Sequence, residues 1–273
     1  MTVAGRRVAG SFAHVGGRRV HVREDGPVDG PPVVLLHGFG GSLHWFDRLV
    51  PLLDGCRVVR VDLLGHGATG GRAADADEQA RVVAEVLAQR RISGVTAVGH
   101  SFGADVALSL AETCERVTRV VVVAQAPDYS DATFPRGGRL LTLPLVGTLL
   151  HRFAPPFAVR AVATHAVAPG FRVGSALARQ ALEDHRALDA GMFPIVLERR
   201  RQRLAQRPLD VRVRESGLPV LVVLGGRDRF YGARSAGRYL EAGARVEIIA
   251  EAGHSPVVET PGRTAALVLD FLE

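Results

Sequence analysis

The chain is 273 residues long and 47% hydrophobic, enough for one large domain with an inserted segment and a sizeable buried core. It carries 34 basic residues against 28 acidic ones, a formal charge of +6, and every basic residue is arginine, which excludes chemistry that needs a lysine Schiff base. Aromatic residues make up only 5% and no nucleic-acid-binding motif is present, so the positive balance does not read as a nucleic-acid surface.

Residues 6–13 and 18–23 alternate loosely about Gly16-Gly17 and predict an antiparallel hairpin. The fully apolar run from Val33 to Leu36 predicts a strand buried on both faces. His37-Gly38-Phe39-Gly40-Gly41 follows, and Ser42 is placed to cap a helix running through Trp45 to about Leu53. Val58 to Val61 is the next strand and ends in the glycine-punctuated loop Asp62 to Gly67. Asp77 to Arg91 has apolar residues at Val82, Val83, Val86 and Leu87, a helical period. Further strands are expected over 95–98, 117–124, 219–224 and 245–249, with helices over 104–113, 233–241 and 263–272. The alternation predicts a mostly parallel sheet with helices on both faces.

Between the strands at 117–124 and 219–224 the pattern changes. Pro135, Pro144, Pro155-Pro156, Pro169, Pro194 and Pro208 cut residues 127–218 into short helical pieces. Inserted between two sheet strands, they belong over the carboxyl ends of the sheet, where open α/β sheets bind ligands. The expected organisation is therefore a core of 1–126 and 219–273 with a helical lid at 127–218. The lid holds 14 arginines against 8 acids, and so carries the whole charge excess. Its longest apolar run, Leu140 to Leu150, is broken by Pro144 and Gly147, and a bilayer span needs about 20 residues, so no membrane insertion is expected. Residues 1–17 lack the apolar centre of a signal peptide. Cys56 and Cys114 form neither a disulfide framework nor a ligand cluster, and read as reduced thiols of a cytoplasmic protein.

The chemistry gathers around Gly99-His100-Ser101-Phe102-Gly103, set between a strand and a helix. This is the Gly-x-Ser-x-Gly nucleophile elbow in its required context, with glycines where strand and helix pass too close for a Cβ. A serine hydroxyl needs a histidine to take its proton and a carboxylate to orient that histidine. Asp228 follows the strand at 219–224, and His254 follows the strand at 245–249, in the chain order such a fold uses. Asp128, just past the strand at 117–124, is an alternative acid. His37, His66 and His100 read as structural, and so does Asp105, one helical turn beyond Ser101. His151, His165 and His185 have no ligand spacing, so neither a metal nor a cofactor is expected.

With these pieces the chain resembles the α/β-hydrolase superfamily from end to end. The resemblance rests on His37 to Gly41, Asp62 to Gly67, Gly99 to Gly103, Gly225 to Asp228, and Gly253-His254-Ser255-Pro256. It implies an eight-stranded, mostly parallel sheet with a helical cap. It implies Ser101 as nucleophile, His254 as general base and acid, Asp228 as the orienting acid, and an oxyanion hole from the backbone N–H groups of Phe39 and Phe102.

Ser101 stands where haloalkane dehalogenases and epoxide hydrolases carry Asp, which argues against both. Ring-cleavage C–C hydrolases typically have Trp after the histidine, whereas Ser255 follows here. The leading expectation is hydrolysis of an ester or thioester of a small to medium lipophilic molecule through an acyl-enzyme. Leu140, Leu141, Leu143, Leu145, Val146, Leu149 and Phe153 are candidates for an apolar acyl pocket, or for packing within the lid. A biosynthetic thioesterase, cyclase or lyase, and a non-catalytic ligand-binding member, are the alternatives. Arg199, Arg200, Arg203 and Arg207 recur at helical spacing, followed by Arg212 and Arg214. They read either as a solvated face or as a dock for an acidic acyl carrier protein.

Overall fold

The computed structural model describes residues 2–3, 6–7, 9–133 and 138–273. Its sheet is built from β1 (Ser11–Val15), β2 (Arg18–Asp25), β3 (Pro32–Leu36), β4 (Arg57–Val61), β5 (Val95–His100), β6 (Val117–Val123), β7 (Val220–Gly225) and β8 (Arg245–Ile249). These eight lie in the order β8-β7-β6-β5-β3-β4-β2-β1. The pairs β1–β2 and β2–β4 are antiparallel and the other pairs are parallel. The expected hairpin turns at Gly16-Gly17 but begins at Ser11, while Arg6–Arg7 pairs instead with Thr2–Val3.

Successive residues of each central strand feed opposite cores. Val34, Leu36, Val120, Val122 and Val222 pack on one face, and Val33, Leu35, Val121, Val123 and Val223 on the other. Burial on both faces is why these strands read as unbroken apolar runs rather than alternating ones. Helices α1 (Ala76–Gln89) and α2 (Phe102–Thr113) lie against each other on the first face, with α1 started by the Asp75 side chain accepting from the Glu78 N–H at 2.9 Å.

The stretch expected as a helix from Ser42 to Leu53 forms two 3₁₀ turns, Leu43–Phe46 and Val50–Leu52. An α-helix would need the Leu43 carbonyl as an internal acceptor. That carbonyl instead takes the Arg60 guanidinium at 3.4 Å, and Asp47 N–H turns back to His44. Pro51 then prevents the second turn from extending an upstream ladder.

Between β6 and β7 the regular elements among the described residues are helical, apart from an isolated bridge of Ala132 to Tyr231. It contains α3 (Pro144–Arg152), α4 (Pro156–His165) and α5 (Ser175–Ala187). A rod then runs through Met192–Pro194, a π-helical stretch Ile195–Arg199 and α6 (Arg200–Gln206), followed by α7 (Leu209–Ser216). Pro144 and Pro156 each occupy the first turn of a helix, where a missing N–H costs nothing. Pro135 lies outside the described residues. The chain ends with α8 (Ala236–Glu241), α9 (Pro256–Glu259) and α10 (Pro261–Leu272). Among the described residues no helix is long and apolar enough to cross a membrane.

Candidate active site

Ser101 sits at the corner between β5 and α2 with φ +51° and ψ −123°. That region is sparsely allowed for a residue with a Cβ, and the surroundings hold it there. Its N–H donates to the Val123 carbonyl at 2.8 Å. A Cβ on Gly99 would stand 2.2 Å from the Gly103 carbonyl oxygen, and one on Gly103 would stand 2.1 Å from that of Leu36. Only hydrogen fits at either position, so strand and helix close on the serine from both sides.

β7 and β8 deliver the other two groups. The Ser101 hydroxyl lies 3.0 Å from His254 Nε2, and His254 Nδ1–H donates to Asp228 Oδ2 at 2.8 Å. The second oxygen of Asp228 accepts from the N–H groups of Phe230 at 2.7 Å and Tyr231 at 3.2 Å. The carboxylate is therefore fixed by its own loop before it meets the imidazole. Its hydrogen bond to Nδ1 selects the tautomer whose Nε2 accepts from the serine. The rings of Phe230 and Tyr231 stand 4.9 and 5.6 Å from that of His254, leaving its side chain 8% exposed.

Asp128 does not reach the histidine. It is held by Arg238 at 2.7 Å and accepts from the Ser130 N–H at 2.8 Å. Asp105 is buried, as its position suggests, and pairs with Arg200 Nε at 2.8 Å.

The glycine-rich loop after β3 is pressed onto the serine. A Cβ on Gly38 would come within 3.0 Å of Ser101 Cβ. Behind it, His37 Nε2 accepts from the Leu63 N–H at 3.0 Å, and burial lowers its pKa, so the ring serves as a neutral strut. Asp62 braces the same region by accepting from Leu43 N–H at 2.7 Å, Ala68 N–H at 2.8 Å and His21 Nδ1 at 2.8 Å. Phe39 points its ring edge-on at Phe193 of the inserted segment, 5.1 Å between centroids. Phe102 heads α2, where helix geometry leaves its N–H without an intrahelical acceptor. His66 and His100 are both pushed down to about 3 by burial. His100 stays neutral and donates its Nε2–H to the His254 carbonyl at 2.7 Å.

Sequence reasoning passed over Glu259. Its carboxylate accepts from Gly253 N–H at 3.0 Å and Ser255 N–H at 2.9 Å, on either side of His254, and from Ala168 N–H of the inserted segment at 2.7 Å. The one acid in Pro-Val-Val-Glu was the available signal. A carboxylate five residues past a loop histidine has few other buried donors to meet.

The row of arginines divides. Arg200 is buried against Asp105, Arg203 meets Asp77 at 2.7 Å, Arg207 meets Glu215 at 2.6 Å and Glu112 at 3.2 Å, and Arg212 meets Glu112 at 2.9 Å. Asp77 lies on α1, and Asp105 and Glu112 on α2. Most of this row thus ties the insertion to the core, with Arg200 and Arg212 buried and Arg203 half-buried; Arg199, Arg207 and Arg214 are exposed.

The apolar run ahead of it also departs from expectation. Leu140, Leu145, Leu149 and Phe153 are exposed. Leu141 and Leu143 line a groove of about 630 Å³ together with Pro144, Pro194, Glu198 and Arg199, a lining that includes none of the three site residues. Among the described residues no cluster of His, Cys, Asp or Glu is arranged to hold a metal.

The profile of the alpha/beta hydrolase family matches residues 33–267, and the chain belongs to that family; it is an α/β-hydrolase enzyme. Among curated proteins it is 32% identical to a pimeloyl-[acyl-carrier protein] methyl ester esterase of Neisseria meningitidis, over 94% of this chain and 98% of that one. It is 29% identical to a putative 2-succinyl-6-hydroxy-2,4-cyclohexadiene-1-carboxylate synthase of Bacillus subtilis, over 94% and 95%. Among solved structures it superposes on a putative aryl esterase from Burkholderia cenocepacia with TM-score 0.78 at 21% identity, covering 96% and 97% of the two chains.

Proposed function

We propose that the protein hydrolyses a carboxylic ester or thioester through an acyl-enzyme on Ser101. The observation that carries this reading is the unbroken relay Ser101–His254–Asp228, at 3.0 and 2.8 Å, on a serine held in a strained backbone conformation. Ser101 Oγ attacks the carbonyl carbon while its proton passes to His254 Nε2, and the imidazolium is stabilised by Asp228. The carbonyl oxygen becomes an oxyanion facing the N–H groups of Phe39 and Phe102. Each such donor is worth about 2.7–4 kcal/mol in the transition state. Collapse expels the alcohol or thiol, which takes the proton from His254. Water then attacks the acyl group, with His254 acting as base, and releases the acid.

In this reading residues 127–218 form a lid over the core, and the substrate is a small to medium lipophilic ester. The likeness to an esterase that acts on an acyl carrier protein supports a carrier-bound acyl group as one candidate. A docking carrier would meet the exposed Arg199, Arg207 and Arg214 rather than the buried Arg200 and Arg212. The likeness to the synthase supports a second reading, in which the same relay serves as the base for an elimination.

Labelling by a fluorophosphonate probe tests the relay directly. The parent should label at Ser101 and Ser101→Ala should not; an unlabelled parent would remove the nucleophile. Cleavage of p-nitrophenyl esters of increasing chain length then separates the two readings. No turnover of any of them, in a chain that labels, would favour elimination.

A further inference from the structure

From the geometry and charge of the inserted segment we infer that its α3–α4 face adsorbs to the surface of an anionic phospholipid bilayer, lying on it without crossing it. Thirteen large hydrophobic side chains are exposed among the described residues, and nine of them fall between Leu140 and Val162. Leu145 is 81% exposed, Phe153 72% and Phe157 76%. Leu145 and Leu149 are one helical turn apart on α3, as are Val146 and Leu150, and Phe153 continues the second row. Proteins that remain free in water rarely leave so concentrated an apolar surface uncovered.

The charge around this surface selects the occupant. From Ala132 to Leu182 the sequence contains no Asp or Glu. Arg139, Arg152 and Arg160 are exposed there and form no ion pair among the described residues. An apolar face whose own segment carries only cations is the pattern of interfacial helices, whose side chains enter the acyl boundary while the cations stay among anionic headgroups; one exposed acid, Glu198, stands with Leu143 and Pro144 in the groove at its edge. A second copy of the chain would bring like charges together, which opposes self-association through this face. An acidic carrier protein would match the arginines but would bury the leucines and phenylalanines against a charged surface.

Adsorption here brings the end of α4, which is tied to the site, close to the bilayer. The chain leaving α4 is fastened to the loops that carry Asp228 and His254. Ser255 Oγ–H donates to the Ala166 carbonyl at 2.8 Å, Arg229 donates to that of Val167 at 3.0 Å, and the His165 and Phe230 rings stand 4.8 Å apart. A lipophilic molecule dissolved in the bilayer would thus reach the protein on the side where the insertion meets the site.

Co-sedimentation of the full chain with vesicles of mixed phosphatidylglycerol and phosphatidylcholine tests this without any substrate, so its outcome is independent of the reading of Ser101. The parent should bind the mixed vesicles and bind pure phosphatidylcholine much less. Phe153→Glu with Phe157→Glu should lower the partition more than tenfold, and Arg152→Gln or Arg160→Gln about fivefold each. Circular dichroism should stay at the parental spectrum, since all four side chains are exposed. A parent that stays in the supernatant overturns the inference, as does undiminished binding by the double glutamate variant. A parent dimer that the glutamates dissociate would assign the face to a second copy instead. Salt-sensitive binding of an acyl carrier protein lost in the same variant, without vesicle binding, would assign it to a protein partner.

Discussion

The two parts of this chain solve burial in different ways. In the core, valine-rich strands are covered on both sides, and the side chains of Val33 to Leu36, Val120 to Val123 and Leu221 to Val223 are all fully buried. In the insertion, α3 buries only Gly147, and α4 only Val159 and Ala163. The later part of the insertion joins the main core through Met192, Phe193, Ile195, Val196, Leu204 and Leu209 and through ionic clasps from Arg200, Arg203, Arg207 and Arg212 to acids of α1 and α2, so the lightly secured part is α3 and α4. A part secured by a few directional contacts can shift as a unit, while a part secured by continuous packing cannot. The hydrogen-bonded Ser101, His254 and Asp228 belong to the continuously packed part.

The largest expected effects lie in the fixed part. Ser101→Ala should lower turnover of an activated ester on the order of 10⁵-fold or more with the thermal midpoint nearly unchanged. Asp228→Asn should cost about 10⁴-fold, because the amide presents the wrong partner to His254 Nδ1. Asp128→Asn should cost little activity, since Asp128 contacts Arg238 and not the histidine. If the two asparagine variants rank the other way, the acid of the relay has been misassigned.

Next in size is the clasp. Arg200 and Asp105 are each about 4% exposed, and removing either partner strands a charge in the interior. Arg200→Met alone should destabilise by about 3–5 kcal/mol, whereas Arg200→Met combined with Asp105→Leu should recover much of that loss. The Tyr129 ring beneath the guanidinium, 4.8 Å from its centroid, loses its cation in both. Denaturant unfolding of the parent and both variants measures this, and a double variant no better than the single would show that the ionic contact itself is required. A smaller contrast follows in the apolar residues. Leu108→Ala, in the buried face of α2, should cost about 2–5 kcal/mol, and Leu145→Ala on α3 within about 0.5 kcal/mol.

This division also governs what could be read from the sequence. The core elements announce themselves, because a strand buried on two faces must be apolar at every position and a nucleophile elbow must have glycine at both shoulders. Val95 to Gly103 carries both signals at once. The order of Ser101, Asp228 and His254 along the chain identified the partners before any distance was known. What periodicity could not supply was pairing across the chain. Arg200, Arg203 and Arg207 share a helix face, but whether that face meets water or carboxylates depends on Asp77, Asp105 and Glu112, about a hundred residues away. Glu259 escaped in part for the same reason, since one of its three N–H donors, Ala168, lies 91 residues away. The leucines of 140–150 were compatible with a pocket lining by type alone; the structure exposes most of them and puts Leu141 and Leu143 in a groove whose lining includes none of the three site residues.

Core and insertion should also answer pH with opposite slopes. In the core, burial pushes His66 and His100 down to about 3 from the ordinary value near 6.5. Below about pH 6.5 the unfolded chain takes up protons that the folded chain refuses, so stability falls as pH drops from there toward 3. In the insertion, Asp184 of α5 is buried and pushed up to about 7 from 3.8. Burial is the main cause; the Asp62 carboxylate pushes the same way, while His44 and hydrogen bonds from Ser42 and Gln180 oppose it. Its Oδ1 accepts from Gln180 at 2.7 Å, and its Oδ2 has no protein partner. Between pH 4 and 7 the folded chain holds a proton that the unfolded chain has released. Stability from this group is therefore complete below about pH 4 and declines as pH rises through 7. Asp184→Asn keeps the neutral shape and removes the titration. The variant should match the parent below about pH 4, gain on it steadily as pH rises from there to about 7, and unfold a few degrees higher at pH 8, with the acid limb set by the histidines unchanged. Parallel midpoint curves for parent and variant from pH 5 to 8 would show that Asp184 is ionised in the folded chain, and that the contact between α5 and the loop after β3 is looser than its burial implies.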